Sequence, residues 1–290
     1  MPEAKFSVVV VSWNVKNDLE HCLAALLREQ AEGAPIEVTV VDNASLDGSA
    51  SMVRERFPWA RLEALVENIG FSRACNLGAR EAAGEYLLFL NPDAEVVAGF
   101  FSDLERSFIH RPRAAIIGGH ILNQDGSTQP SVRGFPGLWV GLLEATKLLS
   151  RFPGLAPRYL LPRFNYQETQ AVDQVMGAGL AIRRGVWEAL AGFDERFFVW
   201  FEEVDLCQRA RTAGYQVWYD AHLNLVHAAA RSFAQLPFTK RHYLYMTSLV
   251  RYLSKHRGVL AAALVWLVSR PAFAVTYLYD YVVSKHVEQG

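Results

Sequence analysis

Residues 6–45, FSVVVVSWNVKNDLEHCLAALLREQAEGAPIEVTVVDNAS, decide the fold. The opening FSVVVVS is a β-branched run of strand length without polar alternation, as expected for a strand covered on both faces. Over 18–27, Leu19, Cys22, Leu23, Leu26 and Leu27 recur at helical spacing. A second β-branched run, 36–41, ends at Asp42-Asn43. Strand, amphipathic helix and strand in this order predict a parallel crossover unit.

The alternation continues outward. The pattern predicts helices over 49–57 and 72–83, the latter stopped by Gly84, and strands over 62–66, 86–90 and 114–118. A further helix is expected over 100–110. The fold class is therefore α/β, with a mostly parallel central sheet flanked by helices on both faces. Right-handed crossovers bring the strand C-termini to one edge, where open α/β sheets bind their ligands. Ser12 and Asn14 follow the first strand, Asp42 and Asn43 the second, Asn91 and Asp93 the strand YLLFL.

Composition narrows the classes. With 290 residues, 51% of them hydrophobic and 20% charged, the chain is not disordered. Lys+Arg total 29 against 30 Asp+Glu, which argues against a basic nucleic-acid binder, so no nucleic-acid partner is expected. Three scattered cysteines, with no CxxC pair, exclude a zinc ribbon and argue against a disulfide framework. No secretory leader is evident, and the apolar stretch 259–268 is about half the roughly 20 residues of a spanning helix. A cytoplasmic protein that touches the membrane surface is expected.

Familiar nucleotide loops are missing. SWNVKND, after the first strand, contains no glycine, and no GxxxxGK[ST] occurs. Gly70-Phe71-Ser72 lacks the second glycine of a nucleophile elbow, and Gly177-Ala178-Gly179 is only a fragment of a glycine motif. A nucleotide would be held by side chains and strand ends.

The acidic positions each carry two readings. Asp93 follows Pro92 directly after a buried strand, where it can bind a hard cation such as Mg²⁺ or Mn²⁺ or simply cap a turn. Asp42 can form an Asx turn or hydrogen-bond a base or ribose. Glu202, Glu203 and Asp205 open a helix expected over 205–213, where acids complement the macrodipole. Three acids behind FFVWF exceed that need, so one of them is read as a general base. His227 ends the expected strand 223–227, and Arg231 and Ser232 after it suit an anionic group.

Together the motifs resemble the family-2 glycosyltransferases with the GT-A fold, in particular the rhamnosyltransferase-like branch acting on cell-surface polysaccharides. The resemblance rests on VVSWN (10–14), VVDNASLDGS (40–49), ENIGFSRACNLGAR (67–80) and GEYLLFLNPDAEV (84–96). MGAGLAIRR (176–184), GFDERFFVWFEEVDLCQRARTAGY (192–215) and LVHAAARS (225–232) complete the ordered set. It implies a GT-A domain over 1–232, with a donor half to about 120 and an acceptor half beyond, followed by a helical extension over 233–290.

The resemblance also implies roles. Asp42 and Asn43, with the backbone near Ser12 and Asn14, would contact a nucleotide-sugar, and Asn68, Gly70, Arg73 and Asn76 would line its site. Asn91-Pro92-Asp93 occupies the place of a DXD motif, leaving Asp93 as the carboxylate for Mg²⁺ or Mn²⁺. His227 would lie near the metal or diphosphate, with Arg231 beside it. Glu203 matches the base of an inverting displacement, although the family has Glu-Asp where this chain has Glu202-Glu203. That departure keeps Glu202 and Asp205 open as well. A rhamnosyl donor, dTDP-rhamnose, is the first expectation. The acceptor would be a polysaccharide or a polyprenyl-diphosphate-linked saccharide.

No carboxylate lies between Asp220 and Asp280, whereas Arg231, Lys240, Arg241, Arg251, Lys255, Arg257 and Arg270 do. Residues 138–164 share this apolar, basic character. The reading is peripheral contact with the inner membrane surface. A solvated helical pair and a homodimer interface stay open beside it. For the whole chain, a nucleotidyltransferase and a catalytically silent, membrane-associated nucleotide-sugar-binding protein remain as alternatives.

Overall fold

The computed structural model describes residues 4–228 and 234–287. The first half runs β1 (Phe6–Ser12), α1 (Lys16–Ala31), β2 (Ile36–Asp42), α2 (Ser49–Arg56), β3 (Arg61–Ala64), α3 (Phe71–Ala79), β4 (Tyr86–Leu90), β5 (Ala94–Val96), α4 (Phe100–His110) and β6 (Ala114–Leu122). The middle contains β7 (Val132–Arg133), α5 (Leu138–Ala145), α6 (Leu148–Arg151), α7 (Pro157–Leu160), β8 (Gln170–Val172) and β9 (Gln174–Val175). The remainder is β10 (Gly179–Arg183), α8 (Arg184–Ala189), α9 (Glu202–Thr212), β11 (Gln216–His227), α10 (Phe238–Arg257) and α11 (Val259–Val287).

All seven residues of β1 are buried. Side chains alternate across a strand, so Val8 and Val10 join one core with Leu19, Leu23 and Leu26 of α1. Val9 and Val11 join a second core with Ala74 and Cys75 of α3 and Leu206 of α9. The continuous apolar run is thus the sequence trace of a sheet packed on both faces. Truncating a fully buried residue such as Leu23 to Ala costs roughly 2–5 kcal/mol.

The sheet order is β3-β2-β1-β4-β10-β6-β11-β5, with β8 also on β11. The first four strands are parallel, as the crossovers predict. Beyond them the sheet is mixed. β10 runs antiparallel to both β4 and β6, and β11 is parallel to β6 but antiparallel to β5 and β8. The cause is topological. The chain leaves β6 at the rim carrying Ser12, Asp42 and Asn91, passes through β7–β9, with β8 lying along the start of β11, and re-enters β10 from that rim, so β10 must run backwards. α8 and residues 190–201 then return the chain, and α9 begins beside the functional edge.

α3 ends at Ala79 instead of continuing to 83. The chain must turn sharply into β4, and a Cβ on Gly84 would lie 2.7 Å from the Ser7 backbone nitrogen. A third core spans position 232: Phe197, Phe201 and Val204 pack with Met246, Leu249, Tyr252 and Leu253 of α10 and Ala262 and Val265 of α11. The helical extension is therefore continuous with the scaffold that carries α9.

Candidate active site

Ser12 and Asp42 are register partners at the C-terminal ends of β1 and β2. Both are buried, and Ser12 Oγ and Asp42 Oδ2 have no partner within the protein. Unsatisfied buried polar atoms are costly, so both atoms have hydrogen-bonding capacity to offer a ligand. Asp42 Oδ1 is already occupied, accepting from the Ser45 amide at 2.9 Å.

The neighbouring asparagines are committed to the loops. Asn43 donates to Asn68 Oδ1 at 3.0 Å and accepts from the Ile69 amide at 2.9 Å. Asn68 also accepts from Gly70 N at 3.0 Å. Asn14, with φ +54°, receives the Leu46 amide at 2.7 Å. Asn76 holds both the Phe193 amide (3.0 Å) and its carbonyl (2.9 Å), so its amide fastens α3 to the 192–195 turn. Asn43, Asn68 and Asn76, expected around a donor, spend these amides on neighbouring loops in the structure. Arg73 is exposed and lies 3.6 Å from Glu195. It lines a cleft of about 920 Å³ with Asn68, Phe198 and Lys255; Asp93, His227 and Glu203 are outside that lining.

Gly70 has φ +87°, and an added Cβ would lie 2.7 Å from both Cδ2 and the carbonyl oxygen of Phe198. The Phe71 amide donates to that same carbonyl at 2.6 Å. Gly70→Ala is expected to destabilise the fold by roughly 1–3 kcal/mol, read as a lower urea midpoint.

Pro92 turns the chain after β4 and presents Asp93. His227, at the end of β11, places Nε2 3.2 Å from Asp93 Oδ1 and 3.3 Å from Asn91 Nδ2. Its Nδ1 lies 2.8 Å from Gln129 Oε1. A carbonyl oxygen only accepts, so Nδ1 carries a proton. In the neutral tautomer the Nε2 lone pair then faces a carboxylate oxygen, an arrangement that either a proton or a metal ion between the two satisfies. The carboxylate is the oxygen ligand that Mn²⁺ or Mg²⁺ prefers, and the imidazole is the softer of the two donors. Among the described residues no group of three or more His, Cys, Asp and Glu is placed to hold a metal ion. The fit is therefore a two-donor site, leaving other positions to water and phosphate oxygens, as Mg²⁺ sites commonly do. Gln129 was not anticipated. It lies in a short loop without a motif, and only the folded chain brings it to His227. Arg231 lies outside the described residues.

The acids at α9 separate into different roles. Burial raises the Glu202 pKa well above the usual carboxylate range, and the charge of Glu203 adds to this. Glu203 is raised by burial too, with backbone hydrogen bonds opposing the shift. Glu202 Oε2 and Glu203 Oε2 have no protein partner. Glu203 lies over Gly177, where an added Cβ would be 3.6 Å from its own Cβ. The next carbonyl, Ala178 O, accepts from the Asn91 amide at 3.0 Å. One short backbone segment therefore connects the Asn91–Asp93 turn to the Glu203 side chain. Tyr159 is pushed up to about 12, by burial first and then by charges including Glu144 and Glu203. Trp200 and Phe201, just before α9, have φ +62° and +69°. Such bulky residues in the left-handed region store strain at the entry to the acidic pair.

Asp205, held open as a base in the sequence, is removed from that role by its surroundings. It is fully buried and accepts from Arg209 Nε, Lys255 Nζ and His256 Nε2, each at 2.7 Å. Burial acts to raise its pKa, but hydrogen bonds from His256 and Lys255 and the charge of Arg209 bring it below the ordinary value. Its contribution to stability is full above the unfolded-state pKa of about 3.9 and fades as pH falls through the lower folded value. Asp205→Ala should cost about 3–5 kcal/mol at neutral pH, measured by denaturant unfolding, because the Arg209 and Lys255 cations lose a buried counter-charge and His256 loses its hydrogen-bond partner.

The model of the glycosyl transferase family 2 matches residues 7–172, more than half of the chain. The chain belongs to glycosyl transferase family 2. This glycosyltransferase is 30% identical over 273 residues, 89% of its length, to N-acetylglucosaminyl-diphospho-decaprenol L-rhamnosyltransferase of Mycobacterium tuberculosis, covering 87% of that protein. It is 28% identical to Rhamnosyltransferase WbbL of Escherichia coli K12 over 61% of this chain and 65% of that one. Among solved structures, the mannosyltransferase PcManGT from Pyrobaculum calidifontis, in complex with GDP-Man and Mn²⁺, aligns with a TM-score of 0.60 at 18% identity. That alignment covers 98% of this chain and 76% of the mannosyltransferase, and it shows a shared GT-A fold. The rhamnosyltransferase-like branch is thus where this glycosyltransferase belongs.

Proposed function

We propose that the protein transfers rhamnose from dTDP-rhamnose to a hydroxyl of a lipid-linked or polysaccharide acceptor, with inversion and with a divalent cation. The observation carrying this reading is the junction at Gly177–Ala178, which places Glu203 next to the turn bearing Asn91 and Asp93. The rhamnosyltransferase relatives support the sugar. The decaprenol-linked substrate named for the mycobacterial relative supports a polyprenyl-diphosphate-linked acceptor met at the inner membrane surface.

Asp93 and His227 would hold Mg²⁺ or Mn²⁺, which when bound neutralises the diphosphate of the leaving group. Ser12 Oγ and Asp42 Oδ2, both without protein partners, receive the nucleoside. Glu203 takes the proton of the acceptor hydroxyl as its oxygen bonds to the anomeric carbon. The bond from that carbon to the phosphate oxygen breaks, and its electron pair leaves with the nucleoside diphosphate. A single displacement inverts the anomeric centre and requires no covalent sugar–enzyme intermediate.

The test is product analysis with purified protein, dTDP-rhamnose, Mn²⁺ and a prenyl-diphosphate N-acetylglucosamine acceptor. Release of dTDP with one deoxyhexose added to the acceptor is the expected result. Pyrophosphate release from a nucleoside triphosphate would favour a nucleotidyltransferase. Donor binding without turnover on any acceptor would favour a silent binding protein.

A further inference from the structure

α11 has one buried face and one bare one. Ala262, Val265 and Ser269 are buried. At 100° per residue, Leu260, Leu264, Leu267, Pro271 and Val275 gather on the other side. The four aliphatic residues among them are 88%, 43%, 68% and 66% exposed. The stripe runs from Leu260 to Val275, sixteen residues and about 22 Å of helix axis. α5 packs beside α11 at Gly141, where an added Cβ would lie 2.8 Å from Val265. The segment following α5 exposes Leu148, Phe152 and Leu155.

Cations border the exposed apolar side chains. Arg270 lies 4.1 Å from the centre of the Trp266 ring, and Arg151 lies 5.8 Å from that of Phe152. Residues 221–279 contain no carboxylate. A second copy laid stripe to stripe would bring cations toward cations with no acid in this segment to offset them, which disfavours association. An anionic bilayer complements the same pattern, with leucines in the acyl boundary and guanidinium groups at the headgroups. Among the described residues no helix is long and apolar enough to cross a membrane.

We infer that α11 docks in the plane of an anionic lipid surface through the Leu260–Leu264–Leu267–Val275 stripe. The inference deepens the proposed function and rests on its membrane-borne acceptor.

The test is co-sedimentation of the full chain with phosphatidylcholine vesicles, with and without phosphatidylglycerol and free of any saccharide lipid. The wild type should pellet with the anionic vesicles. Combining Leu260→Ser, Leu264→Ser and Leu267→Ser should weaken partitioning about tenfold or more. These side chains face solvent, so thermal unfolding should be retained. Arg257→Gln with Arg270→Gln should reduce binding to anionic vesicles and flatten its salt dependence. Wild type remaining in the supernatant, or a triple-serine variant pelleting equally well, would overturn the inference. So would a wild-type dimer in light scattering that becomes monomeric in the triple variant. Nucleoside diphosphate release with a water-soluble acceptor, measured without vesicles, reports the active site alone. Release intact with vesicle binding absent sinks the docking surface and leaves the site reading standing.

Discussion

Glu203→Gln should reduce sugar transfer by about 10²–10⁴-fold while leaving donor binding and unfolding temperature close to wild type. The substitution keeps shape and removes the proton acceptor. The loss should fall on kcat and kcat/KM together, because proton transfer occurs in the transition state. The wild-type pH profile offers a second reading. The base must be ionised, and burial raises the Glu203 pKa. The acid limb of the profile should therefore lie above the usual glutamate value of about 4.3, and it should vanish in the variant. Glu202→Gln should be milder. Burial and then the Glu203 charge push the Glu202 pKa up, so a neutral amide is the smaller change at that position. An active Glu203→Gln enzyme beside an inactive Glu202→Gln enzyme would reverse the assignment.

Asp93→Ala should also abolish transfer, by about 10³-fold or more, corresponding to about 4 kcal/mol of charge stabilisation. Its distinguishing mark is in binding. Titration calorimetry should show that Mn²⁺ strengthens donor binding by the wild type and has no effect on the variant. Residual, metal-independent affinity through Ser12 and Asp42 should persist. His227→Ala should lie between the two, since it removes one of two proposed donors and leaves the carboxylate. If Asp93→Ala binds the donor with an undiminished Mn²⁺ effect, the cation site lies elsewhere.

The core of the first half of the chain was legible because its signals are local. Four valines in a row at 8–11 define a strand packed on both faces, and Leu19, Leu23 and Leu26 define the helix over it. The rim followed from crossover handedness alone. β10 was not read as a strand, since GLAI is short and its antiparallel insertion depends on the long detour at 123–178. Asp205 illustrates a different limit. In the sequence it equals its two neighbours, and only the arrival of Lys255 and His256 from α10, 50 and 51 residues onward, turns it into an anchor. Asn43, Asn68 and Asn76 were identified by position, but whether an amide faces a ligand or a loop is decided by tertiary hydrogen bonds. Gln129 belongs to the same class.

The packing of α10 on the approach to α9 limits how this enzyme can be remodelled. Ser248 donates to the Val199 carbonyl at 2.7 Å, Tyr252 to Gln208 at 2.9 Å, and the Tyr245 ring lies against Trp200 and Phe201. Exchanging the last two helices for those of another family member would also remove the props beneath the acidic pair that opens α9. Chimeras should be functional only when the junction is moved upstream of 192, so that the turn, the acidic helix and the helical tail are inherited together.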